Sequence, residues 1–162
     1  MINFKKLFLT QCSNKKLEIN DNQLIIIDLL IKFYKKCFKK SFFKNLFTKK
    51  IIKKGFYLMG DVGVGKTMLL DFFYENLDLK KKRFHFNEFM INFHNFVHEN
   101  KQDSIESFVR ELKKKYDLLY FDEFQVTNIV DAMILGKLFE TIFEKNLKII
   151  ITSNTKIENL YK

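Results

Sequence analysis

Eight consecutive residues constrain the fold of this chain more than any other feature. Residues 60–67 read Gly-Asp-Val-Gly-Val-Gly-Lys-Thr and fit the pattern G-x-x-x-x-G-K-[ST] at every position. Three of the five glycines in the chain lie inside this segment. An apolar run at residues 55–59 precedes it, as in a buried strand, and apolar residues at helical spacing follow it. The segment is therefore predicted to connect a strand to a helix.

The residue types in this loop suit the binding of phosphate groups. Glycines let backbone N–H groups approach phosphate oxygens that a Cβ would obstruct, and the helix start adds the positive end of its dipole. Lys66 can place its ammonium between the β- and γ-phosphates, and the Thr67 hydroxyl can coordinate magnesium. The alternative, an ordinary glycine-rich turn, is disfavoured by the complete match. The predicted nucleotide-binding residues are Gly60, Asp61, Val62, Gly63, Val64, Gly65, Lys66, Thr67 and Met68.

A magnesium carboxylate is expected at the end of a neighbouring strand, and residues 118–123 supply one. Four apolar residues place Asp122 at the carboxyl edge of a sheet, where the phosphate loop also lies. Asp122 is predicted to hold Mg²⁺, through water, and Glu123 to polarise the attacking water as general base. Alone, an apolar run ending in Asp-Glu is a common strand exit; after a phosphate loop it favours a hydrolytic site.

A third strand, at residues 148–152, is followed by Ser153 and Asn154. If this strand lies between the other two, Asn154 can orient the water near the γ-phosphate. Ser-Asn after a strand is otherwise a turn signal. The predicted catalytic residues are Lys66, Glu123 and Asn154, and the predicted metal ligands are Thr67 and Asp122.

The remaining pattern alternates strands with helices, which indicates an α/β fold with a mainly parallel sheet. A further strand is predicted at residues 83–86. Helices are predicted from residue 21 to about 40, 66 to about 76, 88 to about 99, 103 to about 115 and 128 to about 145. Asp21 can cap the first of these helices, and Thr127 or Asn128 can cap the last; Asp103 with Glu106 has capping-box spacing. The apolar residues at helical spacing are Leu24, Ile27, Ile31 and Tyr34 in the first helix, and Leu69, Leu70, Phe73 and Leu77 along one side of the second.

The excess of positive charge lies in the first third of the chain. Residues 1–54 carry 14 lysines against three acidic residues, whereas residues 55–162 are nearly neutral. We therefore expect a basic, mainly helical arm (residues 1–54) attached to a domain (residues 55–162). The lysine-rich face of the helix that starts near residue 21 is either a solvated surface or a contact for phosphate groups or membrane. Lys, Phe, Ile and Asn all have AT-rich codons, so codon bias is an alternative source of the charge.

Histidines and cysteines offer weaker candidates. His94 and His98 are spaced i, i+4 on a predicted helix, but no third metal ligand accompanies them, so surface or partly buried histidines are favoured. His85 lies between two phenylalanines and is predicted to be a packed strand residue. Cys12 and Cys37, the only two cysteines, are predicted to be reduced thiols rather than a disulfide framework.

The order of the phosphate loop, the Asp-Glu strand and the strand ending in Asn resembles the AAA+ ATPases. The segments 122–127 (Asp-Glu-Phe-Gln-Val-Thr) and 131–139 (Asp-Ala-Met-Ile-Leu-Gly-Lys-Leu-Phe) are similar to the AFG-one-like ATPases, which include the bacterial cell-division ATPase ZapE and a mitochondrial counterpart. Residues 65–74, 85–94 and 152–162 agree with the same family. The resemblance covers residues 54–162, and the first third is less diagnostic.

This resemblance implies ATP hydrolysis with magnesium. For bacterial members it implies a protein partner, the tubulin-like protein of the division ring, and a cytoplasmic location. For mitochondrial members it implies protein quality control at the inner membrane. A helicase-loader-like AAA+ protein acting with nucleic acid and a nucleotide-binding remnant with little turnover remain alternatives. Oligomers and a peripheral membrane contact through the arm are further expectations.

The sequence departs from the family pattern in a few places. Val64 replaces an arginine, and Asn87 and Glu88 replace histidine and arginine, but none of these replacements removes a phosphate or magnesium ligand. Family members also continue past residue 162, into a fifth strand, a helical lid and the region of an arginine finger. Arg83 and Arg110, the only arginines here, are poorly placed to substitute for that finger. We therefore expect a partial P-loop domain, truncated at its carboxyl end, that binds Mg–ATP but turns it over inefficiently alone.

Overall fold

The computed structural model describes residues 3–38, 54–100, 104–126 and 128–160. The chain forms two compact units. The first comprises Met1–Lys53 and Thr67–Asp78, and the second comprises Lys54–Lys66 and Leu79–Lys162. The predicted division into an arm and a domain at residue 54 stays a prediction, because the helix after the phosphate loop groups with the amino-terminal helices.

The first unit contains helices α1 (Phe4–Asn14), α2 (Asp21–Phe38) and most of α3 (Lys66–Glu75). Phe4 and Phe8 of α1 pack against Phe73 and Phe72 of α3, with ring centroids 5.7 and 5.1 Å apart. The apolar face predicted for α3 is confirmed, since Leu69, Leu70, Phe73 and Leu77 are all buried. No helix among the described residues combines the length and apolar character that crossing a membrane requires.

The prediction for α2 is wrong in two details. The helix is capped by Asn20, whose Oδ1 accepts from the Gln23 N–H at 2.9 Å while Gln23 Oε1 accepts from the Asn20 N–H. This reciprocal cap places Asp21 inside the first turn rather than at the cap. The buried face is Gln23, Ile27, Leu30 and Phe33. Of the four apolar residues noted at helical spacing only Ile27 is buried, and Leu24, Ile31 and Tyr34 are partly buried. Residues 39 and 40, where this helix was predicted to end, lie outside the described residues.

The second unit is built on a four-stranded parallel sheet. Its strands are β1 (Gly55–Met59), β2 (Lys81–His85), β3 (Leu118–Asp122) and β4 (Lys148–Ser153). Their spatial order is β1-β4-β3-β2, and every neighbouring pair is parallel. The condition set for the Asn154 prediction, that its strand lies between the other two, is therefore confirmed. Strands β3 and β4 are buried along their whole length, as their unbroken apolar runs predict.

Three helices complete this unit: α4 (Phe86–Glu99), α5 (Ser104–Lys115) and α6 (Ile129–Glu144), followed by a short 3₁₀ helix (Ile157–Asn159). They pack on one face of the sheet around Phe84, Phe89, Phe121 and Leu138. Asn128 caps α6 as predicted, with its Oδ1 accepting from the Val130 N–H at 2.8 Å. The other two predicted capping residues, at positions 103 and 127, lie outside the described residues.

The boundary between β2 and α4 differs from the prediction. The strand begins at Lys81 instead of Arg83, and Phe86 is the first residue of α4 rather than the last of the strand. Phe86 is buried against Phe121 and Phe124. Tertiary packing at this aromatic cluster therefore sets the boundary, and the local alternation of apolar residues does not.

Candidate functional site

The predicted site residues of the second unit gather at one end of its sheet. Met59, the last residue of β1, pairs with Ser153 of β4, and the Gly60 N–H donates to the Ser153 carbonyl at 3.3 Å. On the other side of β4, the Phe124 N–H donates to the Thr152 carbonyl at 2.8 Å. The start of the phosphate loop and the turn after β3 thus flank the same two residues of β4.

The phosphate loop has the backbone conformation that its glycines allow. Gly63 and Gly65 have φ angles of +85° and +83°, in the left-handed region that strains other residues. Residues 61–64 are exposed to solvent, and α3 begins at Lys66, directly after the loop. An exposed loop that leads into a helix start offers N–H groups to an anion.

Lys66 connects this loop to the end of β4. Its Nζ donates to the Gly60 carbonyl at 2.6 Å, to the Asp61 carbonyl at 2.7 Å and to Asn154 Oδ1 at 2.8 Å. The Asn154 bond spans 88 residues of sequence and joins two of the predicted catalytic residues. Three oxygen acceptors therefore fix the ammonium at the mouth of the loop.

Asp122 is a buried carboxylate held by groups on both neighbouring strands. Its Oδ1 accepts from Thr152 Oγ1 at 2.5 Å and from the Glu123 N–H at 3.1 Å, and its Oδ2 binds Arg83 of β2. Burial by itself raises the pKa of Asp122. The hydrogen bonds from Thr152 and Arg83, with the charge of Arg83, outweigh burial and leave the pKa below its usual value. The carboxylate is therefore charged at neutral pH.

Glu123, the predicted general base, points away from this buried network. Its φ of +55° is unusual for a residue with a side chain, and 79% of the side chain is exposed. His85 Nδ1 lies 3.9 Å from Glu123 Oε2, and 63% of the His85 side chain is exposed. The prediction that His85 is a packed strand residue is therefore wrong. It is the last residue of β2, and the buried side chains on either side of it are Phe84 and Phe86.

Two predicted residues, Thr67 and Met68, belong to the first unit. Thr67 directly follows Lys66 in the first turn of α3, and its side chain is exposed. Its role as a magnesium ligand stays a prediction.

Sequence reasoning missed the contact between Arg83 and Asp122. The parallel pairing of β2 and β3 sets Arg83 opposite Tyr120, two residues before Asp122 on the same face. The guanidinium carbon also lies 5.0 Å from the centre of the Tyr120 ring. The sequence predicts that both residues lie on strands, but the register that brings Arg83 beside Asp122 is visible only in the folded sheet.

The residues at this end of the sheet fit a magnesium ion bound together with a nucleotide. The surroundings of Asp122 accommodate positive charge, since a guanidinium sits against it. Among the described residues no three His, Cys, Asp or Glu side chains converge on a metal position. Magnesium beside a nucleotide needs only one or two protein oxygens, because phosphates and water supply the others. The Asp122 carboxylate at the end of β3 is one such oxygen.

The paired histidines of α4 are partly buried (His94) and exposed (His98). His94 Nε2 lies 2.7 Å from Asp131 Oδ1, which links α4 to α6. This agrees with the interpretation of surface or partly buried histidines. Among the described residues Cys12 and Cys37 are thiols rather than a disulfide, with Cys12 buried and Cys37 partly buried.

Comparisons with known proteins agree with the predicted family. A family model described as AFG1-like ATPase matches residues 13–162. Lactation elevated protein 1 homolog B of Danio rerio is 42% identical over 123 residues, covering 67% of this chain and 24% of that protein. Cell division protein ZapE of Escherichia coli K12 is 38% identical over 118 residues, covering 71% of this chain and 32% of that protein.

The fold is also found among solved structures. Domain III of the Thermotoga maritima replication initiation protein DnaA superposes with a TM-score of 0.60 and 21% identity, over 88% of this chain and 55% of that chain. This likeness confirms the predicted fold, a parallel P-loop sheet flanked by helices. The chain spans only about a quarter to a third of the two curated relatives.

Proposed function

The chain belongs to the AFG1-like ATPase family, and from that membership we propose that it binds ATP with magnesium and hydrolyses it to act on a protein partner. The observation that carries the proposal is the bond between Lys66 Nζ and Asn154 Oδ1, 2.8 Å long. It joins the phosphate loop to the strand next to the one that bears Asp122 and Glu123. A lysine, an amide and two carboxylates at one sheet edge are the groups that phosphoryl transfer to water requires.

Binding begins at the phosphate loop. Lys66 exchanges its bonds to Gly60, Asp61 and Asn154 for charge-assisted hydrogen bonds to the β- and γ-phosphates, which are stronger. The N–H groups of the loop and the first turn of α3 receive the remaining phosphate oxygens. Asn154, released from Lys66, is then available to orient water.

Asp122 and Thr67 hold the magnesium ion in this proposal. When bound, the ion neutralises charge on the phosphates and draws electrons from the γ-phosphate. Glu123 accepts the proton of the attacking water, a role suited to an exposed carboxylate directly after β3. Burial of Asp122 and exposure of Glu123 thus separate the metal ligand from the base.

Nucleotide titrations of Lys66→Ala test the binding step. We expect the affinity for a fluorescent ATP analogue with Mg²⁺ to fall by about 100-fold, because the charge on the phosphates loses its direct partner. Lys114→Ala removes the same charge from an exposed position on α5, where the lysine pairs with Glu111. It should bind as the wild type does. Equal affinity in the wild type and Lys66→Ala would rule out the proposed site.

The hydrolytic step has its own test. Glu123→Gln keeps the size of the side chain but removes the base, so phosphate release should fall to background while nucleotide binding persists. A variant that hydrolyses ATP at the wild-type rate would assign the base elsewhere.

The proposed partner follows from the relatives. One is named a cell division protein, so we propose the tubulin-like protein of the division ring as partner in a bacterial cytoplasm, and a mitochondrial role in a eukaryotic host. Co-sedimentation with filaments of that division protein, with and without ATP, tests the bacterial case. Filaments that leave the chain in the supernatant under both conditions would remove this partner.

Nucleic acid is a second candidate partner, favoured by one observation. Lys32, Lys35 and Lys36 are all exposed on α2, where they form a basic surface that could contact phosphates. Binding of single- and double-stranded DNA should then weaken steeply as salt rises. The absence of binding at low salt would exclude this function.

A further inference from the structure

An arginine from the edge of the sheet reaches the predicted magnesium ligand. Arg83 lies in β2, and its Nη2 binds Asp122 Oδ2 across the β2–β3 boundary. The two residues share a face of the sheet, because Arg83 pairs with Tyr120 and Tyr120 is two residues before Asp122. The arginine side chain is 34% exposed, whereas that of Asp122 is 6% exposed. The guanidinium therefore covers the carboxylate from the solvent side.

The two oxygens of Asp122 have different partners. Oδ1 is turned to β4 and the following turn, where Thr152 Oγ1 and the Glu123 N–H donate to it at 2.5 and 3.1 Å. Both donors are part of the sheet edge itself, so the hydrogen bonds that Oδ1 accepts stabilise the fold. Oδ2 faces Arg83. The oxygen that a metal-bound water or a metal could approach is thus the one that the arginine occupies.

We propose that the Arg83 guanidinium competes with magnesium for the Asp122 carboxylate and neutralises that carboxylate when no nucleotide is bound. We call this competing contact the latch. The inference rests on the proposed Mg–ATP function and adds regulation to it. Two cations at one carboxylate repel each other, so Mg–nucleotide binding requires the guanidinium to leave Oδ2. The partial exposure of Arg83 allows that movement without opening the core.

Removing Arg83 should change the effect of Mg²⁺ on nucleotide affinity in a different way for each possible role of this residue. If Arg83 competes with the metal, its removal strengthens the effect of Mg²⁺ on nucleotide affinity. If Arg83 only supports the fold, its removal lowers stability and leaves the effect of Mg²⁺ unchanged. If Arg83 binds phosphate directly, its removal weakens nucleotide binding in the absence of metal as well.

The experiment compares the dissociation constant of a fluorescent ATP analogue in EDTA with that in Mg²⁺, for the wild type and for Arg83→Gln. We expect the ratio of the two constants to rise by about fivefold in Arg83→Gln, the size typical of a partly exposed charge pair. Arg110→Gln, at the only other arginine and on the exposed face of α5, is the matched control. Its ratio should equal that of the wild type.

Arg83→Lys keeps the charge with fewer donors and should give a ratio between those of the wild type and Arg83→Gln. It also carries the test if Arg83→Gln fails to fold, which circular dichroism would show. An unchanged or smaller ratio in the folded Arg83 variants overturns the latch. Failure of the wild type to bind nucleotide in either condition is a different result: it overturns the proposed function and the latch with it.

Discussion

The two faces of the parallel sheet serve different purposes although the same strands build both. On one face, Phe84, Phe121 and Ile151 join the cluster of buried apolar side chains beneath α4, α5 and α6. On the other, Arg83 and Thr152 hold Asp122 in a polar row that crosses three strands. Residues adjacent in sequence, such as Phe121 and Asp122, therefore belong to different environments.

The two faces differ in how well they tolerate small displacements of their side chains. Apolar contacts are non-directional and depend on buried area, so the aromatic face requires only that its side chains fill space. The polar row depends on donors that meet one carboxylate at hydrogen-bond distance, and a register shift of one residue would break it. Stability is expected to come mainly from the first face, and chemistry from the second.

Truncating an aromatic residue should have the largest effect. Phe121 contacts Phe89 and Phe139, with ring centroids 4.6 and 6.2 Å apart, and is fully buried. Phe121→Ala should lower the free energy of unfolding by about 3–5 kcal/mol, because it leaves a cavity in this cluster. Urea unfolding followed by circular dichroism measures the loss. Ile91→Ala, at a residue 59% exposed, should stay within about 0.5 kcal/mol of the wild type.

Neutralising the Asp122 carboxylate should lower the free energy of unfolding less than Phe121→Ala does, but it should impair nucleotide binding more. Asp122→Asn keeps the shape of the side chain, so we expect a loss of about 1–3 kcal/mol from the broken charge-assisted bonds. The Mg²⁺ dependence of nucleotide binding should disappear. Asp117→Asn is the matched control, because Asp117 forms an exposed pair with Lys113 at 2.6 Å; it should lose less than about 1 kcal/mol. Equal losses in the two variants would mean that the polar row adds nothing beyond a surface pair.

The sequence predicts the apolar side of this comparison well. Strand β1 has the predicted bounds, and β3 and β4 each extend one residue beyond theirs, because long apolar runs and strand ends are local signals. The phosphate loop and its helix are equally local. By contrast, α1 was not predicted as a separate helix, and the buried face of α2 was predicted incorrectly. In sequences rich in Phe and Lys, more than one side of a helix can be read as its apolar face.

The polar side could be predicted only in part. Asp122, Glu123 and Asn154 follow strands, so their meeting at one sheet edge was foreseeable from parallel topology. The contact of Arg83 with Asp122 and the exposure of His85 were not, because they depend on the register of β2 against β3 and on where β2 ends. A lateral contact between strands 39 residues apart has no local signal.

Removing one donor from the row should have a smaller effect. Thr152→Val is nearly isosteric and deletes the hydroxyl that donates to Asp122 Oδ1 at 2.5 Å. We expect a loss of about 1 kcal/mol in the free energy of unfolding, measured in urea. Thr141→Val deletes a buried hydroxyl that donates to a carbonyl of its own helix, Lys137 O, at 2.8 Å. That variant should lose less, and a reversed order would show that the row contributes little at this position.

The smallest expected effect is the pH dependence that the Asp122 carboxylate gives to the free energy of unfolding. Because the folded-state pKa of Asp122 lies below its ordinary value, its charge stabilises the fold fully above the ordinary carboxyl pKa of about 4. This contribution is lost as the pH falls through the lowered folded-state pKa. The stability gap between the wild type and Asp122→Asn should therefore stay constant from neutral pH to about 5 and shrink only in more acidic solution. In a Thr152→Val background the gap due to this charge should be smaller and should be lost over a narrower pH range below about 4, since one of the donors that lower the folded-state pKa is gone. A gap that widens as the pH falls from neutral to about 5 would show that burial dominates and raises the folded-state pKa, so that the polar row does not hold the carboxylate in its charged form.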